Sequence, residues 1–586
     1  MFKLISLSSP TGLFKEIKFK DGLNIILGKY STSGKDINGI GKTTIINFID
    51  YCLLSDGVKT ELFSDKFSFL KDEEIQLKFK IEEQSFTISR GFNDKREVYF
   101  QEGSSSQKTF IDSDLRLILG SLMGKRESGI YEPLWFRTLM SFFIQNDHNF
   151  STRDASNVQK FTVGKRQPEL LTYIFLLLGI DNKNVWDFDK NRMSLQQFQK
   201  DQTRINKQIV EQTGKSVENF RGECDSISRK IEKLELGLDN YQFDANTSDL
   251  EEKIHILNKK ITDLNKEHLK ISSKFNEIKS SLEIEVDVDP ESIGKLYANI
   301  HSEFSDFIKK NLEEVMQFRE QISSNRSKFL KEREATYSDK LAKIKELVIA
   351  YEQERSHVYK TLDEKSAFDA LKSAYNNLIE EKAHLSSNLS YIEQLDHIES
   401  GIATKKSDVG KVVAEIVSGK DELQETIDNI KSIYLDIVEG AVDIDSSDIL
   451  PYFNIEFKAH QTSPIKLSLE VPRGSSLGKG RFKILAFDLT VFLSSVQRKS
   501  LFPSFLIHDG IFHAIAHKTR IKLLNYINKK LDCLDGAQYI ITVNEDEIIF
   551  PENEAVSVEL DFDLNERILV TLEDQPEKMF LSKEFG

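Results

Sequence analysis

Apolar residues spaced alternately four and three positions apart fill the middle of this chain. One series is apolar at nine of its ten positions, with His268 as the polar one: Leu250, Ile254, Leu257, Ile261, Leu264, Ile271, Phe275, Ile278 and Leu282. A second series, interrupted by Lys382, contains Leu371, Tyr375, Leu378, Leu385, Leu389 and Ile392. This spacing is typical of coiled coils, with a polar-faced helix of a bundle as the alternative.

Residues that break helices separate the two series. Pro290 and Gly294 place the turn of the coil near 285–300, and 238–249 offers a second break. The sequence therefore predicts a long antiparallel α-helical coiled-coil hairpin over 186–441, with unbent arms of about 150 Å at about 1.5 Å per residue. The turning region contains no Cys-x-x-Cys pair, which excludes a zinc hook.

Strand-like sequence stands on both sides of this predicted hairpin. Residues 1–185 contain FKLISLSS and EIQLKFKI, and residues 442–586 contain IKLSLEV and QYIITVNEDEIIF. Because a hairpin returns the chain to the place it left, we expect the two ends to fold together as one α/β head. The predicted domains are an N-terminal head lobe over 1–185, the hairpin, and a C-terminal head lobe over 442–586.

Composition narrows the class of protein further. Charged residues make up 30% of the chain, its net charge is −15 and it has ten prolines, which suits long solvated helices better than disorder. Three widely spaced cysteines give no disulfide framework, and there is no apolar run of 18 residues and no signal peptide. We therefore expect a cytoplasmic protein with no membrane partner. The acidic balance still allows a local basic groove for nucleic acid.

A glycine-rich turn between a predicted strand and a predicted helix carries the clearest chemical signal. In NGIGKTT, Gly39 and Gly41 let backbone N–H groups converge on phosphate oxygens at a helix N-terminus. Lys42 would reach the β- and γ-phosphates, and Thr43 would bind Mg²⁺. Asp36 stands where the strict motif has its first glycine, so a glycine-rich turn that only resembles a phosphate loop is the alternative. The predicted ATP-binding residues of this loop are Asn38, Gly39, Gly41, Lys42, Thr43 and Thr44.

Two segments of the C-terminal lobe fit the same chemistry. The apolar run FPSFLIHDG ends at Asp509, which a strand would present to Mg²⁺. A buried strand that merely ends in Asp is the alternative. The Ser/Gly-rich turn in PRGSSLGKGRF leads into an apolar helix, whose N-terminus suits an anion. A plain N-capped helix is the alternative there.

With these segments in this order, the chain resembles the ABC-type ATPase heads of the SMC, RecF and RecN families. The resemblance implies a P-loop head assembled from both chain ends, dimerising with a second copy on ATP and Mg²⁺. It implies a signature turn that meets the γ-phosphate held by the second copy, formed by Ser476, Gly478 and Gly480. It also implies that Gln145 senses Mg²⁺ and the attacking water. The implied metal ligands are Thr43, Gln145 and Asp509, and the implied catalytic positions are Gln145, Asp509 and Asn544.

A closer resemblance is to the SMC-like subunit of bacterial three-component ABC defence systems, including the Lamassu type. The layout NIILG…NGIGKTT…DYCLL and the stretch FREQISSNRSKFLKE carry it. It implies that the chain senses foreign double-stranded DNA, together with a small accessory subunit and a nuclease-like effector subunit. The alternatives are an ATP-dependent structural clamp that does not cycle and a repair ATPase of the RecF or RecN kind.

The sequence departs from the ATPase pattern at three polar positions. Gly510 stands where the family has the Glu that orients water, the acid of the following turn is missing at Ala516, and Asn544 replaces the switch histidine. Water positioning supplies much of phosphoryl-transfer catalysis, so we expect slow or partner-dependent hydrolysis. Candidate substitutes for the missing acid are His508, His513 and Glu545.

Basic loops near Gln145 suggest a place for DNA. Lys160, Lys165 and Arg166 lie in the stretch STRDASNVQKFTVGKRQPE, which carries basic and small residues together. They are candidate contacts to DNA phosphates, with ordinary exposed loops as the alternative.

Overall fold

The chain forms two compact units in the computed structural model. One contains Met1–Met193 and Lys406–Gly586, and the other contains Ser194–Lys405. The residues described are 1–30, 39–56, 62–93, 96–124, 129–145, 153, 157–162, 165–239, 248–283, 309–361, 365–444, 449–472, 477–549 and 558–582.

The first unit is built from strands and helices of both chain ends. Its strands are β1 (Phe2–Ser8), β2 (Ile17–Lys18), β3 (Gly22–Lys29), β4 (Glu74–Ile81), β5 (Gln84–Gly91), β6 (Glu97–Glu102), β7 (Lys108–Ile111), β8 (Ile144–Gln145), β9 (Tyr452–Phe457), β10 (Ile465–Glu470), β11 (Phe505–His508), β12 (Gln538–Asn544) and β13 (Ile568–Glu573). Its N-terminal helices are α1 (Lys42–Cys52), α2 (Asp112–Met123), α3 (Phe136–Phe143) and α4 (Gln167–Leu178).

Long helices connect the two ends. They are α5 (Lys183–Thr213), α6 (Val217–Asp239), α7 (Ser248–Glu283), α8 (Lys309–Thr361), α9 (Lys365–Ser418) and α10 (Lys420–Ala441). The C-terminal helices are α11 (Leu477–Gln497), α12 (His517–Leu531), α13 (Glu545–Ile548) and α14 (Leu564–Arg567). Among the described residues, no helix combines the length and apolar character that crossing a membrane requires.

A parallel sheet with the strand order β13-β3-β12-β11-β8 forms the centre of the first unit. Its strands β3 and β12 are buried on both faces, as their near-continuous apolar sequences predict. β3 and β8 come from the first 145 residues, whereas β11, β12 and β13 come from the last 82. The two ends of the chain therefore complete one sheet.

A second, antiparallel sheet with the order β2-β1-β4-β5-β6-β7 packs beside the first. The side-chain amide of Gln538, at the start of β12, accepts from the Leu4 N–H at 2.8 Å and donates to the Leu4 carbonyl at 2.9 Å. The ring of Phe2 lies edge-on to that of Phe505, with centroids 5.4 Å apart. The N-terminal strand is thus fixed to the C-terminal lobe by hydrogen bonds and by apolar contact.

The second unit consists of paired helices. Arg221 on α6 pairs with Asp396 on α9 at 2.7 Å, while Glu235 pairs with Lys382 at 2.5 Å. The partner number falls as the first number rises, so α6 and α9 are antiparallel. Helices α7 and α8 have the same antiparallel sense, since Lys253 pairs with Glu354 and Lys260 lies over the ring of Tyr351.

The buried residues of α7 follow the four-three spacing predicted from the sequence, whereas those of α9 do so only in part. On α7, Ile254, Leu257 and Ile261 are buried. On α9 the spacing differs from the prediction, because Leu389 is 40% exposed while Leu395 is fully buried. The buried stripe of α9 continues through Leu395, Ile398 and Ile402, which pack against residues of α5 and α6. The seam read from the sequence stopped at Ile392 and so missed its best-packed part.

The boundaries of the units also differ from the expected hairpin limits. The sequence predicts coiled coil up to residue 441. In the structure, residues 406–441 belong to the compact unit that carries the sheets. There α10 packs on α11 and α12 and buries Tyr434, whose hydroxyl donates to the Glu470 carbonyl at 2.9 Å. The expected turn near 285–300 lies outside the described residues.

Replacement of Leu395 by Ala should open the α6–α9 pair locally, because a buried Leu→Ala change costs about 2–5 kcal/mol. Amide hydrogen exchange of α6 and α9 should quicken by at least about tenfold. The matched control is Leu389→Ala on the same helix, whose exposed side chain should change exchange little. Equal effects of the two variants would contradict the packing described here.

Candidate functional site

The glycine-rich turn before α1 has the backbone of an anion cradle. Gly39 has a φ of +86° and Gly41 a φ of +101°, a region that glycine occupies without strain. A Cβ on Gly41 would lie 2.6 Å from the Cβ of Phe580, whose N–H donates to the Ile40 carbonyl at 3.1 Å. The C-terminal segment therefore backs the turn, and both conformation and packing demand glycine at position 41.

A pocket of about 150 Å³ opens in front of this turn. Residues from both chain ends line it: Gly39, Ile40, Gly41, Lys42, Thr43, Thr44, Asp509, Gly510, His513, Thr542, Val543, Asn544 and Glu547. The sequence predicted Gly39, Gly41, Lys42, Thr43, Thr44, Asp509 and Asn544 as site residues, and the structure brings these seven together. Asn38 lies outside the described residues.

Asp509 follows β11 and is 3% exposed. Its Oδ1 accepts a hydrogen bond from the Thr542 hydroxyl at 2.5 Å, and the same hydroxyl oxygen accepts from the Gly510 N–H at 3.0 Å. The Asp509 N–H donates to the backbone carbonyl of Gln145 at 2.9 Å. Neighbouring strands therefore hold this carboxylate at the carboxyl edge of the parallel sheet.

The Lys42 ammonium feels the charges of three nearby acids, Asp509, Asp546 and Glu547. Burial lowers its pKa, and the charges of Asp509, Glu547 and Asp546 oppose that effect. A phosphate beside Lys42 would favour its charged form, because opposite charges stabilise each other in a desolvated site. The nearby carboxylates would repel the same phosphate, so the pocket suits an anion that arrives with a divalent cation.

The donor set around Asp509 fits Mg²⁺. Gln145 is fully buried, and its amide nitrogen donates to the carbonyls of Ser141 at 2.5 Å and Phe142 at 3.1 Å. Its Oε1 has no hydrogen-bond partner within the described part of the chain, although buried polar atoms normally have one. The Asp509 carboxylate and the Thr43 hydroxyl line the pocket and are oxygen ligands of the type that Mg²⁺ prefers, whereas Gln145 does not line it.

The backbone at position 510 favours glycine. Gly510 has a φ of +69°, and Ala514 in the same turn has a φ of +67°. An L residue in this left-handed region costs about 1–2 kcal/mol. Placing Glu at position 510 would therefore strain the turn, so the departure from the ATPase pattern is a property of the main chain as well as of one side chain.

The three candidate substitutes for the missing acid lie in different surroundings. His508 is fully buried, where its Nδ1 lies 2.9 Å from the Tyr539 hydroxyl and its Nε2 lies 3.2 Å from Asp488. Glu545 pairs with Lys29 at 3.6 Å and does not line the pocket. Only His513, of these three, lines the pocket.

Arg153, Asp488 and His508 form a buried polar cluster beside β11. Arg153 makes two hydrogen bonds to Asp488 on α11, at 2.7 and 2.6 Å, and neither side chain is exposed. Burial lowers the pKa of the neighbouring His508 imidazole, and Asp488 partly opposes this. Removing one partner of such a pair is costly because the other charge stays buried. This cluster therefore stabilises the fold, and its residues do not line the pocket.

The predicted signature turn lies partly outside the described residues, since Ser476 is among the residues not described. Gly478 is the second residue of α11, and a Cβ there would overlap the carbonyl oxygen of Ala514. Arg481, one turn on, donates to the Gly510 carbonyl at 3.1 Å. Gly478 and Gly480 do not line the pocket of their own chain.

Two of the three predicted DNA contacts, Lys165 and Arg166, pair with carboxylates of the same chain. Lys165 pairs with Glu169 at 2.6 Å, and Arg166 makes two hydrogen bonds to Asp189 at 2.7 and 2.6 Å. These carboxylates neutralise part of the basic charge that a phosphate would meet. Contact of Lys160, Lys165 and Arg166 with DNA stays a prediction.

Sequence reasoning missed Thr542, Glu547 and Arg520. Thr542 and Glu547 stand within YIITVNEDE, in which the sequence predicts only Asn544 as a site residue. The alternation of β12 could have found Thr542, because a polar residue inside an apolar strand has to face a polar partner. Arg520 is buried on α12 and donates to the carbonyls of Glu547 and Ile515 at 2.6 and 2.7 Å. Its sequence context gives no signal for that role.

Comparison with known proteins finds matches over part or most of the chain. Residues 433–585 match a family described as an uncharacterised protein conserved in bacteria (DUF2326). The chain is 24% identical over 571 residues to the uncharacterized protein YydD of Bacillus subtilis (strain 168), covering 92% of each.

Two solved structures of Smc heads are also similar to this chain. One is the Smc head domain with a coiled coil and joint from Pyrococcus yayanosii, at 12% identity and a TM-score of 0.33, covering 92% of each chain. The other is the Smc head domain with an extended coiled coil, bound to the C-terminal domain of ScpA, from Pyrococcus furiosus. It has 11% identity and a TM-score of 0.35, covering 93% of this chain and 91% of that one.

Replacement of Thr542 by Val should lower the free energy of unfolding of the sheet-bearing unit by about 1–3 kcal/mol, because it removes a hydrogen bond from a buried carboxylate. Both tryptophans, Trp135 and Trp186, lie in this unit, so their fluorescence during urea denaturation measures the loss. The control is Thr490→Val, since Thr490 is also buried but only donates to the Ala486 carbonyl of its own helix. Equal losses would argue against a special role for Thr542.

Proposed function

We propose that this chain is an SMC-like, ATP-binding subunit that dimerises through its heads. The observation that carries this proposal is the pocket in which Lys42 and the phosphate-loop glycines meet Asp509. Lys42 and Asp509 are 467 positions apart in the sequence. Parallel pairing of β3 with β12 and of β12 with β11 brings them together. A loop, a lysine and a carboxylate in this order at the carboxyl edge of a parallel sheet suit a nucleoside triphosphate and Mg²⁺.

The chain's own residues divide the work of binding. The N–H groups of the turn and of the first residues of α1 would donate hydrogen bonds to phosphate oxygens, and Lys42 would supply positive charge. Thr43, Asp509 and Gln145 would hold Mg²⁺, which offsets the repulsion between phosphates and carboxylates and polarises the phosphoryl group. Gly41 lets the backbone approach the ligand closely.

A second copy would complete each site. Gly478 and Gly480 do not line their own chain's pocket. By the resemblance to SMC-type heads, Ser476 of one chain meets the γ-phosphate held by Lys42 of the other. ATP binding would then draw two heads together, because the ligand is shared between them.

The proposed cellular role is to engage foreign double-stranded DNA within an anti-phage or anti-plasmid complex. In this role the chain controls a separate nuclease-like effector and works with a small accessory subunit. The likeness to the SMC-like subunits of Lamassu-type systems supports this role. A gene for a nuclease-like protein beside this gene would support it further.

Two other functions are alternatives to this proposal. One is a clamp that binds ATP without hydrolysing it, and the other is an ATPase that acts in DNA repair. The glycine at position 510 favours a structural clamp that binds ATP without turning it over, because a water-orienting acid is missing there. A RecF-like or RecN-like repair ATPase would keep the same heads but serve chromosomal DNA, and a gene placed among replication functions would favour it.

Lys42→Ala should weaken ATP binding on the order of 100-fold, because it removes a charge-assisted contact to phosphate. Equilibrium binding of a fluorescent ATP analogue with Mg²⁺ measures the effect. The control is Lys530→Ala, which removes the same charge from an exposed position that pairs with Asp436. Unchanged binding in Lys42→Ala would overturn the proposed function.

A mixture of two variants tests whether each site is shared. Lys42→Ala should bind ATP too weakly to fill its own site, whereas Ser476→Glu should bind ATP but repel the partner's phosphate. Neither variant should therefore dimerise alone. A mixed dimer of the two has one site with both residues intact, so dimers should form with ATP only in the mixture. Mass photometry counts them. Dimers of Ser476→Glu alone would contradict the shared site.

A further inference from the structure

His513 and Glu547 form a pair at the mouth of the pocket. His513 Nδ1 lies 2.6 Å from Glu547 Oε1, and both residues line the pocket with Lys42 and Asp509. The Glu547 side chain is 9% exposed and that of His513 is 51% exposed. The carboxylate is therefore buried, while the imidazole it holds reaches the space that a bound triphosphate and water would share.

The pair is held firmly on both sides. Glu547 Oε2 accepts from the Asn544 N–H at 2.8 Å, so both carboxylate oxygens are engaged. Arg520 donates to the carbonyls of Glu547 and Ile515, which ties α13 to the turn that carries His513. Arg481 donates to the carbonyl of Gly510 in the same turn. Fixed partners of this kind hold a reactive side chain in one geometry.

The charge state of Glu547 suits a supporting role. Burial raises its pKa, but the hydrogen bonds from His513 and the Asn544 N–H, together with Arg520, outweigh burial and leave the pKa lowered. An ionised Glu547 accepts the proton of Nδ1–H, which leaves the lone pair of a neutral imidazole on Nε2.

We propose that His513, oriented by Glu547, replaces the acid missing at position 510 as the group that positions and deprotonates the attacking water. This inference rests on the proposed function, since it needs ATP in the pocket. The water oxygen bonds to the γ-phosphorus while the bond from that phosphorus to the β–γ bridging oxygen breaks. The departing ADP oxygen keeps the electron pair, and the water proton passes to Nε2. Glu547 stabilises the resulting imidazolium.

The charge that develops on the imidazole faces groups on several elements. They are Glu547 on α13, Lys42 on α1, Asp509 after β11, Arg520 on α12 and Arg481 on α11. A histidine base predicts that hydrolysis slows as the pH falls through the range where imidazole gains a proton, ordinarily near about 6.5.

His513→Gln tests the inference directly. It should lower kcat by about 100-fold or more and abolish the acid limb of the pH profile, while ATP affinity changes less than about threefold. The matched control is His517→Gln, four residues further on and outside the pocket lining, which should keep the wild-type rate and profile. A wild-type rate and profile in His513→Gln would overturn the inference and leave the proposed function standing.

Glu547→Gln gives a readout without ATP. Histidine C2-hydrogen exchange, followed by mass spectrometry of the full-length apo protein, should slow at His513 near neutral pH, because the imidazolium form loses its carboxylate. Exchange at His517 should not change, and no change at His513 would overturn the pairing. If wild-type protein binds ATP but releases phosphate no faster than Lys42→Ala, the inference fails and the clamp is favoured. If wild-type protein does not bind ATP, the proposed function itself fails.

Discussion

The pairing of β12 between β3 and β11 is the constraint on which the rest of the head depends. β3 leads towards the glycine-rich turn at residues 39–41, β11 leads to Asp509, and β12 carries Thr542, which bonds both Asp509 and Gly510. Without that strand the two halves of the pocket would have no fixed spacing. A site made from distant parts of the chain thus exists only when the whole sheet is formed.

The sequence predicts the parts of this protein that have a periodic or local signal. The helical spacing of the coil and the glycine-rich turn before Lys42 can be predicted because each depends on neighbours a few residues away. The buried stripe at Leu395 was missed because a seam that shifts position on a helix gives no local sign of the shift. The partnership of His513 and Glu547 depends on tertiary contact, so residue types alone could not show it.

Gly510 departs from the ATPase pattern in its side chain and also has a special backbone conformation. From sequence it is the loss of a carboxylate, and in the structure it is a left-handed turn that orders the residues after it. That turn carries His513, whose Nδ1 lies 2.6 Å from Oε1 of Glu547 on α13. The chemistry of the pocket therefore has to be judged from which side chains line it, with motif positions as a guide only.

The close approach of Gly478 to the Ala514 carbonyl has a mechanical consequence. The first turn of α11 rests on the peptide that lies between Gly510 and His517, with no space for even one methyl group. Arg481 on the same helix also donates to the Gly510 carbonyl, so the start of α11 and this turn cannot shift independently of each other.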